Sequence, residues 1–268
     1  LFANLYPGTG VAGDPAAWMA RRIAAKLGGR GVVALVHATA YTDDRQVMVF
    51  VARALEREGL TAVLTSPDGV TWRDGQPGIA TDAYAGRVDH LVRFFPVEWM
   101  PNLDTDTGWH NYVGGSAPAS NPGRAVLCQS KRFPLVWDEL GTPLPTWRER
   151  LPESRCPKTV DWERDPSWVL KPAFGRVGDG VGLRSCIGGK EWSAIVKGAR
   201  RDPDEWVAQR RFEALPTPSG LYPCFGVYTI DGKAVGIYGR AAPRPLVDHR
   251  AMDIAVLIEH AEETHGRA

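Results

Sequence analysis

Between Pro15 and the Gly28-Gly29 pair, Met19, Ile23 and Leu27 recur at four-residue spacing, which predicts an amphipathic helix over 16–27. Asp14-Pro15 supplies its start, an acidic cap followed by a proline whose missing N–H is harmless in a first turn. The continuous apolar run 31–37 then reads as a strand, and Asp43/Asp44 precede a second helix over 45–58, ended by Gly59. Residues 60–65 form the next apolar run. Strand, helix, strand in that order predicts a parallel sheet.

Residues 89–95 read as a further strand, and the polar stretch 101–124, rich in Gly, Asn, Ser and Pro, as a surface loop or lobe boundary. A short apolar run passing into a helix follows over 125–140. Four prolines between Thr142 and Lys158 predict irregular backbone. The pattern then gives a strand at 166–172, a Gly-rich hairpin, a strand at 180–186, a helix at 190–200 and a strand at 205–212. Residues 221–230 and 233–240 flank Asp231-Gly232, the pair expected of a type I′ hairpin. A C-terminal helix is expected over 248–262. There is no internal repeat. The reading is α/β (α+β), with a parallel-sheet lobe over 1–124 and a second lobe over 125–268.

Composition narrows the chemistry. The chain is 44% hydrophobic and 24% charged, an ordinary globular balance. Its 32 Lys plus Arg against 31 acidic residues give no electrostatic reason to expect nucleic acid or a membrane as partner. No apolar run approaches the ~18 residues of a membrane span, and no signal-peptide pattern is visible. Cys128, Cys156, Cys186 and Cys224 are widely spread, and the histidines lack HExxH spacing. Reduced thiols in a cytoplasmic protein are therefore expected, rather than disulfides or a zinc site. The chain opens at Leu1 without Met, which points to an upstream portion.

The segment with the most chemistry is 168–183, where an apolar strand delivers Lys171 and a glycine-rich turn follows with Gly175, Arg176, Gly178 and Gly180. Glycine amides converge on phosphate oxygens, and an exposed lysine beside them adds fixed charge. A Gly-rich hairpin with an edge lysine accounts for the same pattern without a ligand. Lys131 is a second candidate cation for a triphosphate, or a solvated lysine. Gln209 lies on an apolar strand that can line an adenine ring or present an exposed face. Arg240, at a strand end after Gly239, is able to grip a carboxylate or acyl phosphate with its planar fork, or to form a surface ion pair. Gly8–Gly13 matches GxGxxG before a helix, which raises a dinucleotide (NAD) alternative. Against it, Pro7 precedes the glycines and Asp43/Asp44 lie further on than the usual ~20 residues.

Three ordered pieces carry a family resemblance: 89–99 (DHLVRFFPVEW) with 121–137 (NPGRAVLCQSKRFPLVW), 170–183 (LKPAFGRVGDGVGL), and Gln209 through Arg240. Together, from about Asn4 to Glu259, the chain resembles the glutathionylspermidine synthetase family of ATP-grasp ligases. The resemblance implies an ATP-grasp fold, its parallel-sheet lobe preceding a nucleotide-clamping lobe. It implies an ATP- and Mg2+-dependent ligase that joins a carboxylate to an amine through an acyl phosphate. Lys131 and Lys171 would hold the phosphates, and Gly175, Arg176, Gly178 and Gly180 would form a lid. Gln209 would sit by adenine, and Arg240 would face the acyl phosphate. The family's metal motif is Glu-x-Asn; Asn4 matches the amide, but Phe2 stands at the glutamate position. A nucleotide-binding relative with a depleted metal site is the alternative that this departure raises. An amine partner calls for acidic residues, for which Asp104 and Asp106 are candidates.

Overall fold

The structure, a computed structural model, describes residues 2–259. They divide into two compact units, one of residues 13–126 with 228–236, the other of residues 2–12, 127–227 and 237–259.

In the first unit Asp14 accepts the Ala17 amide at 2.9 Å and starts the helix Pro15–Leu27, which Gly28 ends in the left-handed conformation at φ 69°. The helix buries Ala16, Ala20, Ile23 and Ala24 in the cluster that also holds Val33 and Leu35. The strand Val32–Val36 pairs in parallel with Thr61–Thr65 on one side and His90–Arg93 on the other. Its alternate residues explain the continuous apolar run. Val33 and Leu35 meet the helices Pro15–Leu27 and Thr42–Arg57, whereas Ala34 and Val36 face a second cluster with Ile79, Met100 and Tyr112. The fully buried Leu35 alone contributes about 1.5–3 kcal/mol by leaving water.

Two expectations change here. The stretch 101–124 is not a plain surface loop. Ala119–Ser120 adds a fourth parallel strand beside His90–Arg93, and Tyr112 is buried with its hydroxyl donating to the Pro67 carbonyl. Its many turn residues serve tight 3-10 turns that carry apolar side chains inward. The region after Thr65, left without elements in the sequence reading, forms a three-stranded antiparallel sheet of Val70–Arg73, Gln76–Ala80 and Ala85–Arg87.

In the second unit Trp206–Arg210 is the middle strand, antiparallel to Trp168–Pro172 and to Ser154–Arg155. The helix Gly189–Arg201 lays Ile195 and Ala199 on Trp168, Leu170 and Ala208. Tyr222–Ile230 and Lys233–Ala242, whose residues 228–236 are counted with the first unit, form the expected hairpin; Asp231 and Gly232 have φ of 49° and 76°, both positive as a type I′ turn needs. The expected strand at 180–186 is absent. Only Gly182 bridges to Leu170, because left-handed Val177, Gly178 and Gly180 coil the chain through turns. The expected C-terminal helix is also overturned as far as residue 259. Met252–Ile254 pairs with the hairpin, and Leu257–Glu259 pairs with Thr9–Val11. The apolar residues Ile254, Val256 and Ile258 alternate, a strand period that outweighs local helix preference. Residues 260–262 of that expectation lie outside the described residues.

Candidate active site

The second unit gathers four of the expected residues. Lys171 points from Trp168–Pro172 across to the neighbouring strand, where its Nζ donates to Gln209 Oε1 at 2.6 Å. The pair is diagonal in register, since Lys171 lies opposite Val207 and Gln209 opposite Val169. Gln209 Nε2 in turn donates to Ser154 Oγ at 3.0 Å, which fixes the amide's orientation. Lys131 arrives from a separate segment. Its backbone N–H donates to the Ala173 carbonyl at 2.9 Å and its Nζ to the Gly175 carbonyl at 2.8 Å. Two hydrogen-bonded sets result: Lys131 with the glycine loop, and Lys171 with Gln209 and Ser154.

The electrostatics have a definite sign. Burial pushes the Lys171 ammonium below its ordinary pKa, and the charge of Lys131 pushes it further. The two ammonium groups thus lie within each other's field, one of them partly desolvated. Lys171 is half-buried rather than the exposed clamp lysine expected from sequence. The reason is its place inside a paired strand.

Gly178 explains the glycine spacing. Its φ is 71°, and a Cβ there would lie 2.4 Å from the Val247 carbonyl oxygen, so the loop passes directly against residues 247–248. Arg176 lines a cavity of about 530 Å3 with Asp179, Glu191, Arg244, Asp248 and Arg250. The lysines and Gln209 are not among that cavity's lining residues. Arg240 stands on the hairpin strand, where Nη2 donates to the Ala251 carbonyl at 3.0 Å and Nε lies 3.2 Å from Asp253 Oδ1. Asn4 is exposed on the short helix Phe2–Leu5. Neither Arg240 nor Asn4 hydrogen bonds to the lysine cluster.

Sequence reasoning passed over two residues. Ser154 came from a stretch read as irregular, and no signal marks it. Arg132 donates to the carbonyls of Trp206 at 2.7 Å and Pro203 at 3.2 Å, anchoring the segment that carries Lys131. Its adjacency to Lys131 was the one available hint.

Among the described residues no three His, Cys, Asp or Glu side chains are grouped to hold a metal ion. The described residues thus supply no three-ligand metal group to accompany Asn4. The dinucleotide alternative fails on geometry. Phe2–Leu5 is helical, and Gly10 lies inside the strand Thr9–Val11 instead of a turn between strand and helix. No described helix is long and apolar enough to cross a membrane.

No curated protein matches the chain. A solved structure titled "Crystal structure of D-cycloserine synthetase DcsG" superposes with a TM-score of 0.48 at 16% identity, covering 84% of this chain and 75% of that one. The match that decides the family spans residues 16–259. By that match the chain belongs to the glutathionylspermidine synthase preATP-grasp family.

Proposed function

We propose that the chain is an ATP-dependent ligase that phosphorylates a carboxylate, releasing ADP, and transfers the acyl group to an amine with release of phosphate. In this reading residues 125–268 form the nucleotide-binding lobe and residues 1–124 the substrate side. The observation that carries it is that Lys131, bonded to the Gly175 carbonyl, lies within electrostatic reach of Lys171, bonded to Gln209. ATP phosphates would replace the amide and carbonyl oxygens that now accept from the two lysines. Each ammonium would then neutralise charge on the transferring phosphoryl group. Gln209, once released by Lys171, would turn its amide to adenine.

Gly175, Gly178 and Gly180 would let the loop close over the phosphates and exclude water, which would otherwise hydrolyse the acyl phosphate. Arg176 and Arg240 would act on the acyl group; for Arg240 this means leaving the Ala251 carbonyl and Asp253. Magnesium accompanies ATP in the family, but the described residues do not group a carboxylate set for it, and no step here runs through the ion. The same observation favours a second reading, a nucleotide-binding relative that does not turn over. ADP release separates the two. With carboxylate and amine supplied, ligase action predicts amine-dependent ADP formation that Arg240→Ala abolishes while ATP binding survives. Binding without any ADP formation supports the second reading, and loss of ATP binding in Arg240→Ala moves that arginine into the nucleotide site.

A further inference from the structure

Gln209 is held at both ends of its side-chain amide, and the two ends offer a ligand opposite things. Its Oε1 accepts from the Lys171 ammonium at 2.6 Å. An ammonium carries donors only, so the oxygen has to be the end that faces it. Its Nε2 donates to Ser154 Oγ at 3.0 Å. Ser154 stands directly opposite Gln209 in the antiparallel register of Ser154–Arg155 with Trp206–Arg210, so the two side chains share one face of the sheet. A serine hydroxyl can donate or accept; here its proton goes to the Pro152 carbonyl at 3.3 Å, which leaves the oxygen to accept. The bonds therefore run one way, from Lys171 through Gln209 and Ser154 to a carbonyl that can only accept. Turning the amide over would set NH2 against the ammonium, and carbonyl oxygen against a hydroxyl oxygen whose proton points elsewhere.

This direction outlasts the lysine's contact. In the ligase reading, on which this inference rests, Lys171 leaves Oε1 for phosphate and Gln209 meets the base. Ser154 and Pro152 stay in place and retain the Nε2 end of the amide. The end set free is the oxygen, an acceptor. A base edge that donates there, such as the 6-amino group of a purine, completes a hydrogen bond. A 6-oxo purine would set oxygen against oxygen and leave both unpaired, which costs more than a missing contact. Without the Ser154 hydroxyl the amide is free to turn over and offer NH2 instead, and the base is no longer selected.

We propose that Ser154 determines the purine: through Gln209 it makes the site choose a 6-amino nucleotide over a 6-oxo one. It is a positioning residue, since it acts through the glutamine amide and not on the nucleotide itself. Calorimetric titration of the full chain with ATP and with ITP tests it, because these triphosphates differ only in the 6-substituent and the adjoining ring proton. The unmodified chain should prefer ATP by about tenfold or more. Ser154→Ala should bring the ratio down to about threefold or less, by strengthening ITP. Ser154→Thr keeps the hydroxyl and should keep the preference. A merely structural role for Ser154 would weaken both nucleotides alike and leave the ratio where it was. The ratio is taken within one protein, so a change in stability cancels from it. Equal affinities in the unmodified chain, or an unchanged ratio in Ser154→Ala, would overturn the inference and leave the ligase reading standing. Failure of both nucleotides to bind the unmodified chain would remove that reading, and this inference with it.

Discussion

His90 makes the first unit sensitive to acid by an amount that is worked out from its surroundings. It opens the strand His90–Arg93 at 3% exposure, with Nε2 3.0 Å from Ser120 Oγ and a buried Nδ1 that has no hydrogen-bond partner among the described residues. Burial, aided by the charge of Lys26, lowers its pKa from 6.5 to about 4. The unfolded chain therefore binds more protons than the folded one between those values, so stability rises with pH across that window and is lost as pH falls through it. At 1.36 kcal/mol per unit the whole span is worth about 3 kcal/mol, of which about 2 kcal/mol is already gone at pH 5. Urea unfolding at pH 7.5 and pH 5.0, on the unmodified chain and on His90→Gln, measures this. The unmodified chain should lose about 2 kcal/mol more than the variant over that interval. Equal losses in the two proteins, or an imidazole titrating near 6.5 in the folded state by NMR, would refute the reasoning.

Other consequences are open to simple assays. Asp14→Ala removes the acceptor of the Ala17 amide and should cost about 1 kcal/mol in urea unfolding. Gly178→Ala drives a Cβ into the Val247 carbonyl and demands positive φ of an alanine. The loop must shift, so ATP affinity should fall while the far-UV spectrum stays unchanged. Lys171 carries its charge at a burial cost, so its penalty is present at neutral pH and relieved as pH rises toward the ordinary lysine range. The stability difference between the unmodified chain and Lys171→Met should therefore move in favour of the unmodified chain from pH 8 to 10. A constant difference would show that Lys171 titrates normally.

The parallel sheet was legible because its signals are local and agree with one another. Asp14-Pro15 and Gly28 bound one helix, and the run 32–36 has apolar residues on both faces because each face meets its own cluster. The hairpin at Asp231-Gly232 was legible for the same reason. What stayed hidden depends on distant partners. Ala119–Ser120 is a strand solely by virtue of His90–Arg93 beside it, and Leu257–Glu259 by virtue of Thr9–Val11. At the site, Lys171 and the glycines announced themselves by spacing, and Gln209 by its strand. Ser154 and Arg132 act through a hydroxyl and a guanidinium that reach residues more than fifty positions away, which no periodicity records.

Titration of ATP into the full chain by calorimetry, repeated on Lys171→Met, bears most directly on the central claim. Losing one charge-assisted contact to phosphate, worth roughly 1.5–3 kcal/mol, should weaken binding by about ten- to a hundredfold. Undiminished ATP affinity in Lys171→Met would contradict the account, because the lysine cluster would then not be where the nucleotide sits.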